Sequence, residues 1–126
     1  MAFRSLITLA AQGAGTLNSA DQDSPLRKDG YSPLGVKVVI DITAVGGAPT
    51  ATFKIQGKDP LSGKYFDILT SAALAAAGTT VLTVYPGVAA AANVSANDVM
   101  PRIWRVNLVV AGTTPSVTAT VSAIPI

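Results

Sequence analysis

This chain has no histidine, no cysteine and no glutamate. Without histidine it lacks the side chain that most often moves protons near neutral pH. Without cysteine it has no disulfide framework, no thiolate nucleophile and no thiolate zinc site. The serines have no histidine partner, so a Ser-His-Asp triad cannot be built. Charge is scarce as well, at 13% of residues, which is about half the usual fraction for a soluble domain. Nine Lys and Arg stand against seven Asp, for a net charge of +2. The isoelectric point of about 9.2 reflects that small imbalance. The basic residues (Arg4, Arg27, Lys28, Lys37, Lys54, Lys58, Lys64, Arg102, Arg105) are scattered and interrupted by Asp. A nucleic-acid footprint is clustered and denser, so no nucleic-acid partner is expected. No apolar run approaches the ~20 residues that span a bilayer, so no membrane partner is expected either.

What is present is material for strands and turns. Hydrophobic residues make up 49% of the chain, mostly Ala, Val, Ile and Leu interleaved with Thr and Ser. At 126 residues the chain is read as one folding unit with a real core. Mean hydropathy is +0.46, which together with low charge implies a neutral outer surface of Thr, Ser, Ala and Val. Surfaces of that kind are commonly covered by partners, as in a repeated assembly subunit. A cysteine-free chain can fold in a reducing cytoplasm and persist outside a cell. The opening MAFRSLITLAAQGAG mimics a secretory signal, but the run Leu6 to Ala11 is short and interrupted by Thr8. It is read as a mature N-terminal strand, Phe3–Ala10, or arm.

Residues 12–33 carry Gly, Ser, Asp and Pro without apolar periodicity and read as a loop or arm. Residues 1–33 are therefore assigned to an N-terminal strand and extended arm, and 34–126 to the main domain. From Val36 to Val45 the chain alternates with period two, the mark of a strand with one core face. Gly46–Gly47 reads as a hairpin turn into Thr50–Gly57, with Phe53 and Ile55 inward and Thr52, Lys54 and Gln56 outward. Asp59-Pro60-Leu61-Ser62-Gly63 is a turn, followed by a strand Lys64–Thr70 with Phe66 and Ile68 inward. Ser71–Ala77 is read as a helical turn or loop, and Thr79–Tyr85 as a strand. Residues 88–100 are the only plausible helix, of one or two turns, because four consecutive Ala favour it. Arg102–Ala111 then places Trp104, Val106, Leu108 and Val110 on one face, and Ser116–Ile124 forms the last strand. About seven strands punctuated by turns predict an all-β fold, an antiparallel β-sandwich of immunoglobulin-like or jelly-roll-like kind.

Each candidate for chemistry has a plainer reading. Asp59 and Asp67 are two carboxylates across one hairpin, yet Asp59 sits where a side chain caps turn amides and Asp67 alternates outward. Asn97-Asp98 with Asp41 or Asp29 matches no calcium-loop spacing. Gly57-Lys58-Asp59 and Ser62-Gly63-Lys64 lack the phosphate-loop pattern, and Ser62 with Lys64 makes no buried dyad. Trp104 falls in phase with Val106 and Leu108 and reads as a core anchor rather than a sugar platform. Tyr31, Tyr65 and Tyr85 read as rim or interface residues. No catalytic, cofactor-binding or metal-binding residue is assigned, no cofactor is expected, and the chain is read as a non-enzyme.

The hairpin from Phe53-Lys54-Ile55-Gln56-Gly57 through Tyr65-Phe66-Asp67-Ile68-Leu69 resembles a module of tailed-bacteriophage virion proteins. In those proteins an "F-x-I/V-Q-G" strand runs into a turn and an aromatic-bearing strand. An "R-x-W/Y-x-R-V" strand follows, here Arg102-Ile103-Trp104-Arg105-Val106, and then a Gly-Thr turn and a Thr/Val-alternating last strand, here Gly112 to Ile124. The resemblance spans residues 36–124 and implies a structural virion protein, foremost a capsid decoration or cement protein. Its implied partners are the major capsid protein and copies of itself, as a homo-oligomer or symmetric assembly. Its implied place is the capsid of the virion, after synthesis in the host bacterial cytoplasm. The N-terminal segment would lie across a neighbouring subunit, and deleting residues 1–20 would abolish assembly while leaving the sandwich folded. Two alternatives stay open: a phage tail component (tube, terminator or adaptor), and a carbohydrate-binding module for surface attachment.

Overall fold

The computed structural model describes residues 4–12, 15–19, 21–23, 34–113 and 115–126. Ten strands form in chain order: β1 (Arg4–Gln12), β2 (Gly15–Asn18), β3 (Gln22–Asp23), β4 (Val36–Gly46), β5 (Thr50–Lys58), β6 (Tyr65–Thr70), β7 (Gly78–Val84), β8 (Ser95–Ala96), β9 (Ile103–Ala111) and β10 (Ser116–Pro125). They make two sheets. The first has the order β1-β10-β4-β7-β8, and the second β2-β9-β5-β6 with β3 also paired to β9. All pairings are antiparallel except the short β7–β8 pair. The fold is thus the all-β sandwich that the period-two segments predict.

The core lies between the two sheets. Val36, Val38, Ile40 and Ile42 of β4 point into it, as do Val117, Ala119, Val121 and Ala123 of β10. Facing them are Ala51, Phe53 and Ile55 of β5 and Trp104, Val106, Leu108 and Val110 of β9. Trp104 is 2% exposed, which makes it the core anchor its alternation phase implies. Strict period two on the central strands fixes register, since a one-residue slip would put every one of these side chains into water.

Several connections differ from the sequence reading. Gly46–Gly47 does not close a hairpin: it turns the chain from β4 in one sheet to β5 in the other. Gly47 and Ala48 both adopt positive φ there, at 70° and 49°. The connection from β9 to β10 makes the return crossing between the sheets. In β6 the pairing with β5 shifts between Ile55 and Gln56, so that Ile68 is the extra residue of a bulge. Leu69, opposite Ile55, therefore takes the buried position expected of Ile68, while Ile68 packs against the core partly buried. Phe66 lies opposite Gly57 on the core side but at the rim of the sandwich, where it stays half-exposed. Its ring occupies the space a side chain at Gly57 would need.

The expected helix over 88–100 does not form. Asn93, inside that span, takes a positive φ of 63°, which right-handed helix does not accommodate. The Ser95 hydroxyl donates to the Ala89 carbonyl, and the Asn97 side chain accepts from the Gly87 amide. These local bonds compete with helix for the same backbone, and the segment folds as turns ending in β8. Of the two readings of Ser71–Ala77, helical turn or loop, the structure has the loop, in which Leu74 bridges to Ala51 and continues the edge of the second sheet. The segment 12–33, read as loop, contributes β2 and β3, and β1 pairs along β10.

Candidate functional site

The outer face of the second sheet carries most of the sandwich's polar chemistry. Alternation on β5 sends Lys54, Gln56 and Lys58 outward, and the register brings Arg105 opposite Gln56, Asp67 opposite Gln56 and Tyr65 opposite Lys58. Cross-strand neighbours on one face interact directly, and here they form a continuous array. The Arg105 Nε donates to the Gln56 Oε1 at 2.9 Å, and the Gln56 Nε2 donates to the Asp67 Oδ1 at 2.8 Å. Lys54 reaches the other Asp67 oxygen at 3.4 Å. The Arg105 guanidinium lies 3.4 Å from the centre of the Tyr65 ring. The Tyr65 hydroxyl donates to Asp21 at 2.8 Å, and Lys58 pairs with the same carboxylate at 3.2 Å.

The array settles the protonation of its acids. The Tyr65 hydroxyl bond, with smaller help from Lys58 and Arg105, holds the Asp21 carboxyl below its ordinary range. The Gln56 amide, seconded by Lys54, does the same for Asp67. Asp21 in turn raises Lys58. Carboxylates held ionised by donors are poor proton donors. The guanidinium covers one face of the Tyr65 ring, and Trp104, buried, offers no open stacking platform.

The other candidates resolve into local structure. Asp59 accepts from the Leu61 amide at 3.0 Å and from the Ser62 hydroxyl at 2.7 Å, the turn-capping role its position implies. The Ser62 bond is the main reason its carboxyl is held low. Ser62 gives its hydroxyl proton to Asp59 while accepting from the Lys64 backbone, so Ser62 and Lys64 form no dyad. Asp59 and Asp67 have separate partners. The Asp98 carboxylate accepts from the Val99 amide, and Asp41 accepts from Thr79, so Asn97-Asp98 and Asp41 serve different elements. Among the described residues no three potential ligands converge on a metal position. Asp29 and Tyr31 lie outside the described residues. A groove of about 440 Å³ runs between Ile68–Leu69 and the loop carrying Ala91, Ala92, Ser95 and Asp98. Its Ser95, Asn97 and Asp98 side chains are bonded to their own loop.

The outer face of the first sheet is of opposite character. At its centre Val39 of β4 is flanked by Val81 of β7 and Ser122 of β10. One step along, Lys37 is flanked by Thr83 and Ile124; one step the other way, Asp41 is flanked by Thr79 and Thr120. Val81 is 42% exposed. Lys37 and Asp41, both exposed, are the charges of this face among the described side chains. The alternation from Val36 to Val45 marks a strand with one core face, but it does not place β7 and β10 beside that strand, because pairing between distant strands leaves no local signal. The Asp21–Tyr65–Arg105 array was missed for the same reason.

No protein-family model matches this chain, and no curated protein or solved structure matches it.

Proposed function

We propose that this chain is a structural virion protein of a tailed bacteriophage, a capsid decoration protein that works by binding and not by catalysis. The observation that carries the reading is the outer face of the first sheet: a surface mostly of Val, Thr and Ser with Val39 at its centre and exposed Val81 beside it. A neutral sheet face suits repeated contact in a symmetric shell. Individually modest contacts, multiplied by symmetry, stabilise such a shell. The ionic array of the second sheet keeps its charges largely occupied within the molecule, which leaves the neutral face as the natural side for a partner. The resemblance of Phe53–Leu69 and Arg102–Val106 to phage virion modules supports the same reading.

The test is quantitative mass spectrometry of purified virions, scored as copies of this chain per major capsid protein. A ratio near a simple fraction of the capsid copy number is the expected result. A few copies per particle would replace decoration by a tail or neck role. Absence from the particle would overturn the virion reading.

A further inference from the structure

We infer that the outer face of the first sheet docks on the same face of a second copy of this chain, about a two-fold axis that crosses β4 at Val39. This rests on the reading of that face as a covered one and adds who covers it. β4 is the central strand of its sheet, with β10 on one side and β7 on the other. Lys37 and Asp41 lie two residues either side of Val39 on the same outward face. A two-fold axis in the plane of the interface and perpendicular to β4 turns the copy's strands antiparallel. Lys37 of each copy then faces Asp41 of the other, and Val39 faces Val39.

The rest of the face fits the same operation. β7 lies over β7 and β10 over β10, so Val81 meets Val81 and Ser122 meets Ser122. Thr83 meets Thr79, and Ile124 meets Thr120. Among the described side chains of the face, no charge is set against an apolar partner and none against its own sign. The alternative face-to-face axis, parallel to β4, would lay Lys37 on Lys37 and Asp41 on Asp41. The charges therefore choose between the two ways the face could meet itself, which is the usual use of charge in an interface. Packed sheets cross at about 30°. At two residues from the axis, roughly 7 Å, that crossing displaces facing positions by only about 3–4 Å, which the flexible four-carbon lysine stem absorbs. Thr79 donates to Asp41 at 3.3 Å and so holds the carboxylate at the face.

The experiment is sedimentation of the full chain over a concentration series, with four variants. Wild type is expected to dimerise. Lys37→Asp and Asp41→Lys alone each turn two attractive pairs into two repulsive ones and should raise the dimer Kd at least about tenfold. The double exchange Lys37→Asp with Asp41→Lys restores opposite charges across the axis and should restore dimerisation. Lys64→Asp, the same charge change on the β5–β6 turn, should leave it intact. All altered positions are exposed, and an unchanged melting curve checks that each variant folds. A wild type that stays monomeric overturns the inference, as does a dimer indifferent to the single reversals or not rescued by the double exchange. Neither result touches the copy number in virions. Conversely, a charge-patterned dimer absent from virions would sink the virion reading and leave this one standing.

Discussion

At the scale of single residues, the absences in the composition and the bonds in the structure meet in one property, the response to pH. The chain has no histidine, so the side chain that ordinarily switches charge between pH 5 and 8 is missing. Three of the acids, Asp21, Asp59 and Asp67, are held below the ordinary carboxylate range by their donors. A carboxyl whose pKa is lower folded than unfolded contributes stability above the unfolded value, near 3.9, and loses it as pH falls through the folded value. Stability is thus expected to be level from neutrality down to about pH 5 and to decline below about pH 4. The individual contributions are small because these groups are largely in water. Tyr65→Phe removes the leading cause of the Asp21 shift. Urea denaturation at neutral and at acid pH should then give a smaller difference for the variant than for wild type. An identical difference would mean that the Tyr65–Asp21 bond does not persist in solution.

At the scale of elements, two buried serines finish what the edge strands of the second sheet cannot. Just beyond β2, the Ser19 amide donates to the Val106 carbonyl at 2.8 Å, and its Oγ accepts from the Val106 amide at 2.9 Å. Just beyond β6, Ser71 does the same with Phe53, at 2.8 and 3.0 Å, and its hydroxyl also donates to the Ala72 carbonyl. Each serine lets the chain leave the sheet without stranding a buried amide. Ser71→Ala would leave the Phe53 N–H without an acceptor, so a loss of about 1–3 kcal/mol is expected in denaturant titration, and Ser19→Ala should cost a similar amount at Val106. A neutral result would require water to reach those amides. These serines also mark the limit of what sequence could convey. The long strands β4, β5, β9 and β10 were legible because each alternates over eight residues or more with one apolar face. β2 and β3, at four and two residues, have no period to detect. The bulge at Ile68 was hidden because Phe66, Ile68 and Leu69 are all apolar and either phase would satisfy the pattern. The Ala-rich stretch favoured helix by propensity alone, whereas Asn93 at positive φ and the Ser95–Ala89 bond belong to turns.

At the scale of the whole molecule, the N-terminal segment decides how the sandwich and its assembly are related. Read from sequence, residues 1–33 form an arm free to reach a neighbour, and removing 1–20 leaves the body intact. In the structure β1 runs along β10 over eight paired positions, from Arg4↔Ala123 to Gln12↔Ser116. β2 pairs with β9, and Ser19 is buried against Val106. β10 supplies Val117, Ala119, Val121 and Ala123 to the core. Without β1 it would become the sheet's terminal strand, presenting unpaired backbone to solvent and to other chains. Deleting residues 1–20 is therefore expected to lower the melting midpoint by more than about 10 °C, the equivalent of a few kcal/mol in a domain of this size. Aggregation through the bared edge of β10 should accompany it. Differential scanning fluorimetry with light scattering reads both effects on one sample. The dimer face lies on β4, β7 and β10 and not on β1, so sedimentation of the truncated chain below its melting range should still find the charge-patterned dimer. A truncated chain that melts as the full one does would show that β1 is not held in its own sheet in solution. The N-terminal segment would then be free to add a strand to a neighbouring subunit, the arm its sequence suggests.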